Sequence, residues 1–484
     1  MKVQHALKIC SGIVSAMENN TVDIIGAGLA GTEAALQLAQ RGIAVRLFEM
    51  RPLVQTDVHR SGNAAELVCS NSLKSTKPDS AAGMLKHELS CLGSNLISFA
   101  NETRVAAGGA LAVDRDLFSQ RATDALEEHP LITRVNAEVV GLGGKGEVLV
   151  ADGDESEAAP YAPADAVIVA SGPLTSDRLA AYMQKLTGQD HLAFYDAAAP
   201  VVMADSLDRS KVFSQSRYED GGGDYLNAPF GKEEYERFME ELVAADRVIK
   251  REFETADLFQ ACQPIEEIAR RGFDAPRFGP LKPVGLTDPT TGRRPWAVVQ
   301  LRAEDAHGQS FNLVGFQTNL TFPEQKRVFR MIPGLENAEF ARYGVMHRNS
   351  FIDAPQMLSR TLQLSTEAAH ALPVPIFVAG QFGGTEGYCE AIASGLYAAL
   401  SVSAQLNGED APLLPEETAF GALIAYATNP ETQDYQPMHV NFGIMKPFEK
   451  KIRNKRERYA AYASRGDEKL RGYVEALHKK GLIG

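Results

Sequence analysis

One segment of the chain, residues 21–51, strongly restricts the fold that can form around it. Residues 22–25 are a short, mostly apolar run that is typical of a buried strand, and residues 43–48 form a second such run. A helical pattern lies between them, and it opens on three glycines in the spacing G-x-G-x-x-G: Gly26, Gly28 and Gly31. The segment therefore predicts a strand–turn–helix–strand unit.

Each glycine of this turn has a separate physical role in a dinucleotide-binding unit. Gly26 suits a sharp turn, Gly28 lets a pyrophosphate approach the backbone, and Gly31 lets the helix pack close to the sheet. The helix N-terminus supplies amide donors for the phosphates. Glu49 ends the second strand, where an acid can hold ribose hydroxyls. The complete unit predicts dinucleotide binding; the alternative is a glycine-rich turn in another α/β protein.

A second glycine-rich turn occurs near the other end of the chain. Residues 376–379 predict a strand, and GQFGGTEGYCEAIASG follows it as a turn and a helix. Two such turns point to FAD rather than to NAD alone, although an ordinary glycine-tolerant strand–helix connection is the alternative. We predict these cofactor-binding residues: Gly26, Ala27, Gly28, Leu29, Ala30, Gly31, Glu49, Arg51, Gly380, Gln381, Gly383, Gly384 and Thr385.

The remaining pattern predicts a doubly wound, Rossmann-like α/β fold of the glutathione-reductase type, with an α+β insertion domain. Residues 1–200 form the first part of the FAD-binding domain, residues 201–344 the insertion, and residues 345–484 the second part with a basic C-terminal helix. Residues 135–140 and 147–151 predict strands of a small meander. A charged helix is predicted over residues 232–254.

Composition excludes several classes of protein. No run of 18 or more apolar residues occurs, so we expect no membrane span. The five cysteines are scattered without a CxxC pair, which predicts no metal site and a reduced, cytoplasmic protein. The net charge of −13 argues against non-specific coating of nucleic acid but leaves a local basic face possible. Residues 1–20 are interpreted as an extension rather than a signal peptide.

Residues 445–458 concentrate positive charge and predict a helix start followed by an exposed basic helix. A solvated surface and a phosphate-contacting face explain this pattern equally well. For the second case we predict these RNA-binding residues: Lys446, Lys450, Lys451, Arg453, Lys455, Arg456 and Arg458. Four arginines of the insertion domain are further candidates: Arg270, Arg271, Arg293 and Arg294.

Several segments resemble the folate- and FAD-dependent tRNA uracil-5-methyltransferases, the TrmFO family. The resemblance covers most of the chain and rests on these segments: GAGLAG with EMRP, AELVCSNSLKS, FQACQPIEEIARRG, FGPLKPVGL, GFQTNL, PGLENAEFARYGVMHRNSFI and AGQFGGTEGY. The related GidA flavoproteins share the flavin motifs but are longer at the C-terminus. The resemblance implies that methylenetetrahydrofolate donates a one-carbon unit, that reduced FAD supplies electrons, and that NAD(P)H reduces the flavin. The acceptor is C5 of a T-loop uridine in tRNA; no protein partner is evident.

Two cysteines lie in the segments that carry the resemblance, Cys69 and Cys262. A thiolate that adds to uracil C6 activates C5, and a base must then remove the C5 proton. Cys262 precedes Pro264 and an apparent helix start with proline in its first turn, which would lower the pKa of its thiol. We favour Cys69 slightly as nucleophile and Cys262 as base. The other three cysteines are interpreted as structural: Cys10, Cys91 and Cys389.

Three alternatives remain open at the level of sequence. The same chemistry on ribosomal RNA is the nearest, because the motifs concern flavin and catalysis rather than the RNA. A flavin-dependent disulfide oxidoreductase is a second class, against which the lack of a close cysteine pair argues. A non-catalytic flavin-containing RNA-binding protein is the third.

Overall fold

A computed structural model describes most of the chain. The described residues are 20–56, 58–151, 157–188, 192–218, 223–248, 263–432, 435–450 and 452–483, with side chains for all of them except 192–196 and 347–348. No helix among these residues is long and apolar enough to cross a membrane.

The strands of the described residues are short. In chain order they are β1 (Thr21–Ile25), β2 (Ala44–Glu49), β3 (Ser72–Ser75), β4 (Arg104–Val105), β5 (Ala110–Val113), β6 (Ile132–Asn136), β7 (Glu138–Leu142), β8 (Val148–Ala151), β9 (Ala159–Pro160), β10 (Ala166–Val169), β11 (Leu192–Ala197), β12 (Val201–Met203), β13 (Phe213–Ser214), β14 (Tyr225–Phe230), β15 (Ala297–Ala303), β16 (Ser310–Leu313), β17 (Phe340–Arg342), β18 (Met346–Phe351) and β19 (Ile376–Val378).

The α-helices of the same residues differ widely in length. They are α1 (Leu29–Gln40), α2 (Ala81–Cys91), α3 (Asn95–Glu102), α4 (Arg115–Glu128), α5 (Asp177–Thr187), α6 (Lys232–Ala244), α7 (Ile265–Arg270), α8 (Ala275–Phe278), α9 (Phe322–Phe329), α10 (Ala354–Met357), α11 (Glu367–His370), α12 (Tyr388–Leu406), α13 (Ala419–Ala427) and α14 (Lys455–Lys479).

A five-stranded parallel sheet forms the centre of the first core. Its strand order is β19-β10-β1-β2-β6, which is the order of a doubly wound dinucleotide-binding fold. The strands are almost continuously apolar because helices cover both faces, and Val22 and Ile24 of β1 have no exposed surface. The strand order reverses between β1 and β10, which are parallel, so ligands are expected in the crevice at the carboxyl ends of these two strands. The predicted fold class is confirmed.

The predicted small meander is present, and its strand at residues 147–151 is β8 (Val148–Ala151), but the prediction of one continuous strand over residues 135–140 is wrong. Instead, β6 pairs in parallel with β2 as far as Asn136, and β7 then pairs with β8 in a separate antiparallel sheet. The two strands are separated by Ala137 alone, whose N–H donates to the carbonyl of Glu49 at 2.9 Å. Because no glycine or proline marks the break, the sequence pattern reads as one strand.

A six-stranded sheet with its own apolar core is built from residues 201–342. Its order is β13-β14-β15-β16-β12-β17. The predicted boundaries of the insertion domain, at residues 200 and 344, remain a prediction. The chain enters and leaves this part through β11 and β18, which pair antiparallel from Leu192 and Phe351 to Ala197 and Met346. Both connections therefore lie side by side.

The charged helix of the insertion is shorter than the predicted range 232–254. It ends at Ala244, and Ala245 has an extended backbone conformation. Residues 246–248 instead pair with the segment around Asn319, because Val248 N–H donates to the Asn319 carbonyl at 2.8 Å. Backbone pairing with another part of the fold has overridden the local helix propensity.

Candidate active site at the crevice of the parallel sheet

A cavity of about 390 Å³ lies at the carboxyl ends of the parallel strands. Its wall joins segments that are far apart in sequence but meet at the reversal between β1 and β10. Most of the wall comes from residues within five segments: 25–30, 48–51, 66–74, 170–176 and 386–391. The cavity thus has the place and the size of a cofactor-binding cleft.

Two glycines of the first turn allow close backbone packing, and the third leaves open space at the cavity. Gly26 has φ +101°, and an added Cβ would lie 2.6 Å from the carbonyl oxygen of Ala170. A Cβ on Gly31 would lie 1.9 Å from the Gly26 carbonyl, so α1 can approach the turn only at a glycine. A Cβ on Gly28 would meet no atom within 4 Å, and Gly28 lines the cavity. The N-terminal amides of α1 are consequently open to a phosphate.

Glu49 lies at the end of β2 and lines the cavity, and each of its two carboxylate oxygens accepts a hydrogen bond from a different residue. Its Oε2 accepts the N–H of Ala27 at 3.0 Å, and its Oε1 accepts Nε of Arg51 at 2.8 Å. Burial favours the neutral acid, but the hydrogen bonds and charge of Arg51 outweigh it, so the pKa of Glu49 is below its usual value. The carboxylate is held ionised and able to accept a ribose hydroxyl. Arg51 also forms an ion pair with Glu66 at 3.2 Å. Because its guanidinium is held by both carboxylates, Arg51 orients Glu49.

The second glycine turn reaches the cavity only in part. Gly380 and Gln381 line it, and the helix that follows begins at Tyr388. The other predicted residues of this turn lie behind the cavity wall. The Thr385 hydroxyl donates to the Ser394 hydroxyl at 3.0 Å, and an added Cβ on Gly384 would overlap the Tyr435 hydroxyl. Gly383, Gly384 and Thr385 can therefore shape this wall, while Gly380 and Gln381 can touch a ligand directly.

Cys69 forms part of the cavity wall, in the loop between β2 and β3. Its N–H donates to the hydroxyl oxygen of Tyr388 at 2.9 Å, and its Sγ lies 3.8 Å from the carbonyl oxygen of Ala197. The thiol is partly exposed, as a reacting group must be. Of the two described cysteines that we interpreted as structural, Cys91 is exposed on α2 outside the cavity. Cys389 is buried in α12 at the cavity wall, and burial raises the pKa of its thiol to about 11.

A cation and a carboxylate that the sequence analysis did not assign face the same cavity. Lys74 Nζ lies 3.5 Å from Glu390 Oε1. An added Cβ on Gly387 would lie 2.3 Å from Glu390 Oε2 and 3.1 Å from Lys74 Nζ, so this pair needs a glycine there. Burial favours the neutral amine, but Glu390 and Glu386 outweigh it and raise the pKa of Lys74. A fixed cation at this wall can stabilise negative charge on a bound ring.

Cys262 lies outside the described residues. The helix that follows it, α7, is described, and its contacts show which part of the fold it packs against. Pro264 occupies the N-cap of α7 rather than the predicted first turn. The buried carboxylate of Glu266 accepts the N–H of Asn319 at 2.6 Å and the hydroxyl of Thr318 at 3.0 Å. These bonds fix α7 against the segment GFQTNL.

The anchor of α7 leads directly to the wall that carries Cys69. An added Cβ on Gly344 would lie 2.6 Å from both Thr318 Cγ2 and the carbonyl oxygen of Ala198. The carbonyl of the preceding residue, Ala197, is the one that faces Cys69 Sγ. A series of contacts, from Glu266 through Thr318 and Gly344 to Ala198, therefore links α7 to the wall that carries Cys69.

Comparison with known proteins places the chain in a family. The family model described as glucose inhibited division protein A matches residues 21–410. A methylenetetrahydrofolate–tRNA-(uracil-5-)-methyltransferase TrmFO from Bacillus subtilis is 47% identical over 454 residues, which cover 94% of this chain and 98% of that protein. The chain belongs to the TrmFO family. The family membership predicted from the sequence is confirmed.

Other relatives agree with this assignment. The TrmFO proteins of Heliobacterium modesticaldum and Pelotomaculum thermopropionicum are 49% and 48% identical and cover 94% and 95% of this chain, and 98% and 100% of their own lengths. The solved structure of Aquifex aeolicus GidA has a TM-score of 0.67 at 16% identity and covers 96% of this chain and 76% of that one. That likeness shows a shared fold.

The predicted basic segment of this TrmFO-family chain is only partly helical. Helix α14 begins at Lys455, capped by the Asn454 side chain, which accepts the N–H of Arg456 at 2.9 Å. Three predicted basic residues precede the helix, namely Lys446, Lys450 and Arg453, and Lys451 is outside the described residues. The prediction of a helix start near residue 445 is wrong, because residues 441–450 form turns and bends. Lys446 lies 3.6 Å from Glu417.

The structure adds cavity residues that sequence reasoning did not select. Lys74 and Tyr388 occur within the segments that carry the family resemblance, and Glu390 lies two residues beyond one of them, so these motifs were a usable signal. Asn349 and His439 also line the cavity. Burial, and then the charge of Lys74, lower the pKa of His439. Asn349 lies within the resemblance segment PGLENAEFARYGVMHRNSFI, whereas no quoted segment marks His439. Among the described residues, no group of three or more His, Cys, Asp or Glu side chains is arranged to hold a metal ion.

Proposed function

We propose that the chain methylates C5 of a T-loop uridine in tRNA, with methylenetetrahydrofolate as the one-carbon donor, FAD as the bound cofactor and NAD(P)H as reductant. The observation that carries this proposal is that Cys69 opens into the same cavity as the glycine turn after β1. A thiol beside a dinucleotide-binding cleft suits a reaction in which a cysteine acts as nucleophile and a bound flavin acts as reductant. The family membership supplies the substrate class.

The cleft residues fit FAD. The open face of Gly28 and the N-terminus of α1 would hold the pyrophosphate, and ionised Glu49 would hold the ribose hydroxyls. Gly380, Gln381 and the N-terminus of α12 would contact the inner half of the cofactor. When bound, the flavin supplies the two electrons that convert the transferred methylene to methyl.

The thiols prepare the uracil ring for transfer. One thiolate adds to C6, and the electron pair moves onto C5, which attacks the folate methylene and displaces one of its two nitrogens. A base removes the C5 proton, and the second folate nitrogen leaves to give an exocyclic methylene on C5. The hydride equivalent that a bound reduced flavin would supply then converts this methylene to methyl as the thiolate leaves C6. We assign the attack to Cys69 and the proton to Cys262, since Cys69 lies in the wall of the cofactor cavity.

The packing of α7 supports a shared cleft for these two thiols. Glu266, two positions into α7, is joined through Thr318 to Gly344, next to the chain that faces Cys69. Proximity is needed because it makes both steps effectively intramolecular. The target base must leave the folded T-loop to reach this cleft.

The RNA itself would be held mainly through its phosphates. The exposed basic side chains around the start of α14 are the proposed contacts: Lys450, Arg453, Lys455 and Arg456. Lys446, Lys451 and Arg458 complete this predicted set. Phosphate contacts position the RNA but do not read its sequence.

The deciding experiment follows the methyl carbon. Purified protein receives unmodified tRNA, NADPH and methylenetetrahydrofolate labelled in its methylene group, and the RNA is digested and analysed for labelled ribothymidine. We expect label in tRNA from folate and none from labelled S-adenosylmethionine alone. Transfer from S-adenosylmethionine would overturn the proposed chemistry. Label in ribosomal RNA but not in tRNA would correct the substrate.

A further inference from the structure

Three aromatic rings of the insertion part stack into one column. The ring of Tyr343 lies between those of Phe322 and Phe340, with centroid distances of 4.8 Å and 5.0 Å and interplanar angles of 17° and 13°. Phe340 packs against the insertion core, whereas Phe322 remains 49% exposed. The column therefore begins in the core and ends at the surface in a phenyl ring.

Core packing does not require the exposed end of this column. Helix α9 buries Val328 and Phe329, and Phe322 extends the same stripe at the first helical position, beyond the edge of the core. Tyr343 covers one side of the Phe322 ring. A large exposed apolar ring at such a place is the kind of surface feature that marks a binding site.

The column is attached to the wall that carries Cys69. Arg342, the neighbour of Tyr343 in sequence, donates from Nη1 to the carbonyl of Val68 at 3.3 Å. Gly344, the neighbour on the other side, packs against Ala198. Adding one residue step and one arginine side chain places the column on the order of 10–15 Å from Cys69.

Two exposed cations lie near the column in a chain whose net charge is −13, and the nearby Glu324 is already paired with Arg327 at 2.7 Å. The exposed Arg60 donates to the carbonyl of Ala341 at 3.3 Å, and exposed Lys326 lies one helical turn after Phe322. Neither side chain forms an ion pair with a described residue. Arg342 Nε and Nη2 also have no hydrogen-bond partner among the described residues. Burial, and then Arg115, lower the pKa of Arg342 to about 10, so it stays charged at neutral pH.

We propose that the column is a stacking platform for an unpaired base of the RNA substrate, next to the target uridine. Phe322 supplies the open ring face, and the exposed Arg60 and Lys326 hold the adjoining phosphates. This inference rests on the proposed function and assigns part of its RNA site. Flat rings beside cations suit single-stranded nucleic acid, because every base has a face that stacks. A neighbouring base held on this platform would also keep the extruded uridine from returning to its place in the T-loop stack.

The test compares ring variants of Phe322 in the full-length, FAD-loaded protein. Binding is measured with unmodified tRNA carrying 2-aminopurine beside the target uridine. We expect Phe322→Ala and Phe322→Leu to weaken binding by about 5- to 100-fold and to lose quenching of the fluorescent base. Phe322→Trp should keep both. Phe278→Ala is the matched control, since Phe278 is 82% exposed on α8, and it should bind as the wild type.

Two outcomes would overturn the platform. One is wild-type binding and quenching in Phe322→Ala; the other is wild-type behaviour in Phe322→Leu, which would indicate simple apolar contact. FAD content and the rate of flavin reduction by NADPH should stay unchanged in every variant, and altered values would point to a structural role instead. If the wild type transfers no methyl group but Phe322→Ala still weakens RNA binding, the proposed reaction fails and the platform stands.

Discussion

The hydroxyl oxygen of Tyr388 accepts the backbone N–H of Cys69 at 2.9 Å. It also accepts the N–H of Ser70 at 3.0 Å, so one side chain at the start of α12 fixes the position of the reactive loop. Burial, and then the nearby Cys69, raise the pKa of Tyr388 well above its usual value, which keeps the phenol neutral. The second glycine-turn segment thus determines where the first candidate thiol lies.

Removing this hydroxyl should impair catalysis more than cofactor binding. In Tyr388→Phe, two partly buried amides lose their acceptor, which costs about 1 kcal/mol of stability and frees the Cys69 loop. We expect FAD content near the wild-type value and a methyl-transfer rate lowered at least tenfold. Tyr161→Phe, at a ring that is 38% exposed, is the control. An unchanged rate in Tyr388→Phe would show that the loop is positioned by other contacts.

Gly28→Asp should abolish FAD binding. The new carboxylate would occupy the open space beside the N-terminus of α1 and repel the pyrophosphate. The absorbance spectrum of the purified variant measures the loss directly. Gly472→Asp is the matched control, because an added Cβ at that exposed helical position also meets no atom within 4 Å. Stoichiometric FAD in Gly28→Asp would place the pyrophosphate elsewhere.

Cys69→Ala and Cys262→Ala should each abolish methyl transfer while FAD stays bound. The nucleophile variant should also lose the covalent adduct with RNA that contains 5-fluorouridine, because fluorine blocks release of the C5 substituent and traps the thiol at C6. We expect that loss in Cys69→Ala. The adduct is detected as a slower band in denaturing gels.

Cys91→Ala is the control for both thiol variants, since Cys91 is an exposed free thiol outside the cavity. Loss of the adduct in Cys262→Ala instead of Cys69→Ala would reverse the two roles. Retention of methyl transfer by both variants would favour a role for the chain in binding RNA without catalysis.

Glu88 should make the fold less stable as pH rises through the weakly acidic range. Its carboxylate caps α13 by accepting the N–H groups of Ala419 and Phe420. Burial outweighs these bonds and raises its pKa from 4.5 to about 7. The folded state then binds the proton more tightly than the unfolded chain, so the free energy of unfolding falls by about 3 kcal/mol between pH 4.5 and 7 from this group.

Urea unfolding at several pH values tests the contribution of Glu88. The Glu88→Gln variant should show a flatter dependence of the midpoint on pH between about 4.5 and 7. Glu128→Gln, at an exposed position near the end of α4, should keep the wild-type slope. Equal slopes in all three proteins would mean that Glu88 is already ionised in the folded state at pH 5.

Arg453→Ala and Arg456→Ala should reduce the salt dependence of tRNA binding. Each lost phosphate contact lowers the slope of log K against log salt by about one unit. Arg471→Ala is the control on the same helix, because Arg471 pairs with Asp467 at 3.1 Å and lies farther along α14. Slopes equal to the wild type in both variants would indicate that this surface is merely solvated.

Local patterns predicted the parts of the fold whose structure is decided locally. The strands predicted at residues 22–25 and 376–379 are β1 (Thr21–Ile25) and β19 (Ile376–Val378), so each bound is correct to within one residue. Errors occurred where tertiary contacts decide, as at Ala137 between two sheets. Pairing of the backbone with a distant strand cannot be read from propensity.

In the candidate site too, features decided by local sequence could be predicted, and features decided by tertiary contacts could not. The turn at Gly26 was selected from its own spacing, and Gly26 lines the cavity. The contact of Lys74 with Glu390 depends on the missing side chain of Gly387, which lies far from Lys74 in sequence. The column of Phe322 and Tyr343 joins a helix to a strand end and has no linear signature. Such contacts become visible only when the fold brings the segments together.

The parallel sheet has a consequence for the order of events during synthesis of the chain. Strand β19 and helix α12 complete a cleft whose first turn is made at residues 26–31, and Gly395 of α12 packs directly on the Ala30 backbone. A ribosome must therefore translate the whole six-stranded sheet before the cleft can close. Until then the edge of β10 is unpaired and exposed, a state in which nascent chains are open to aggregation and to chaperones. The supply of cofactor to the cell would then influence the yield of folded protein only at the end of translation.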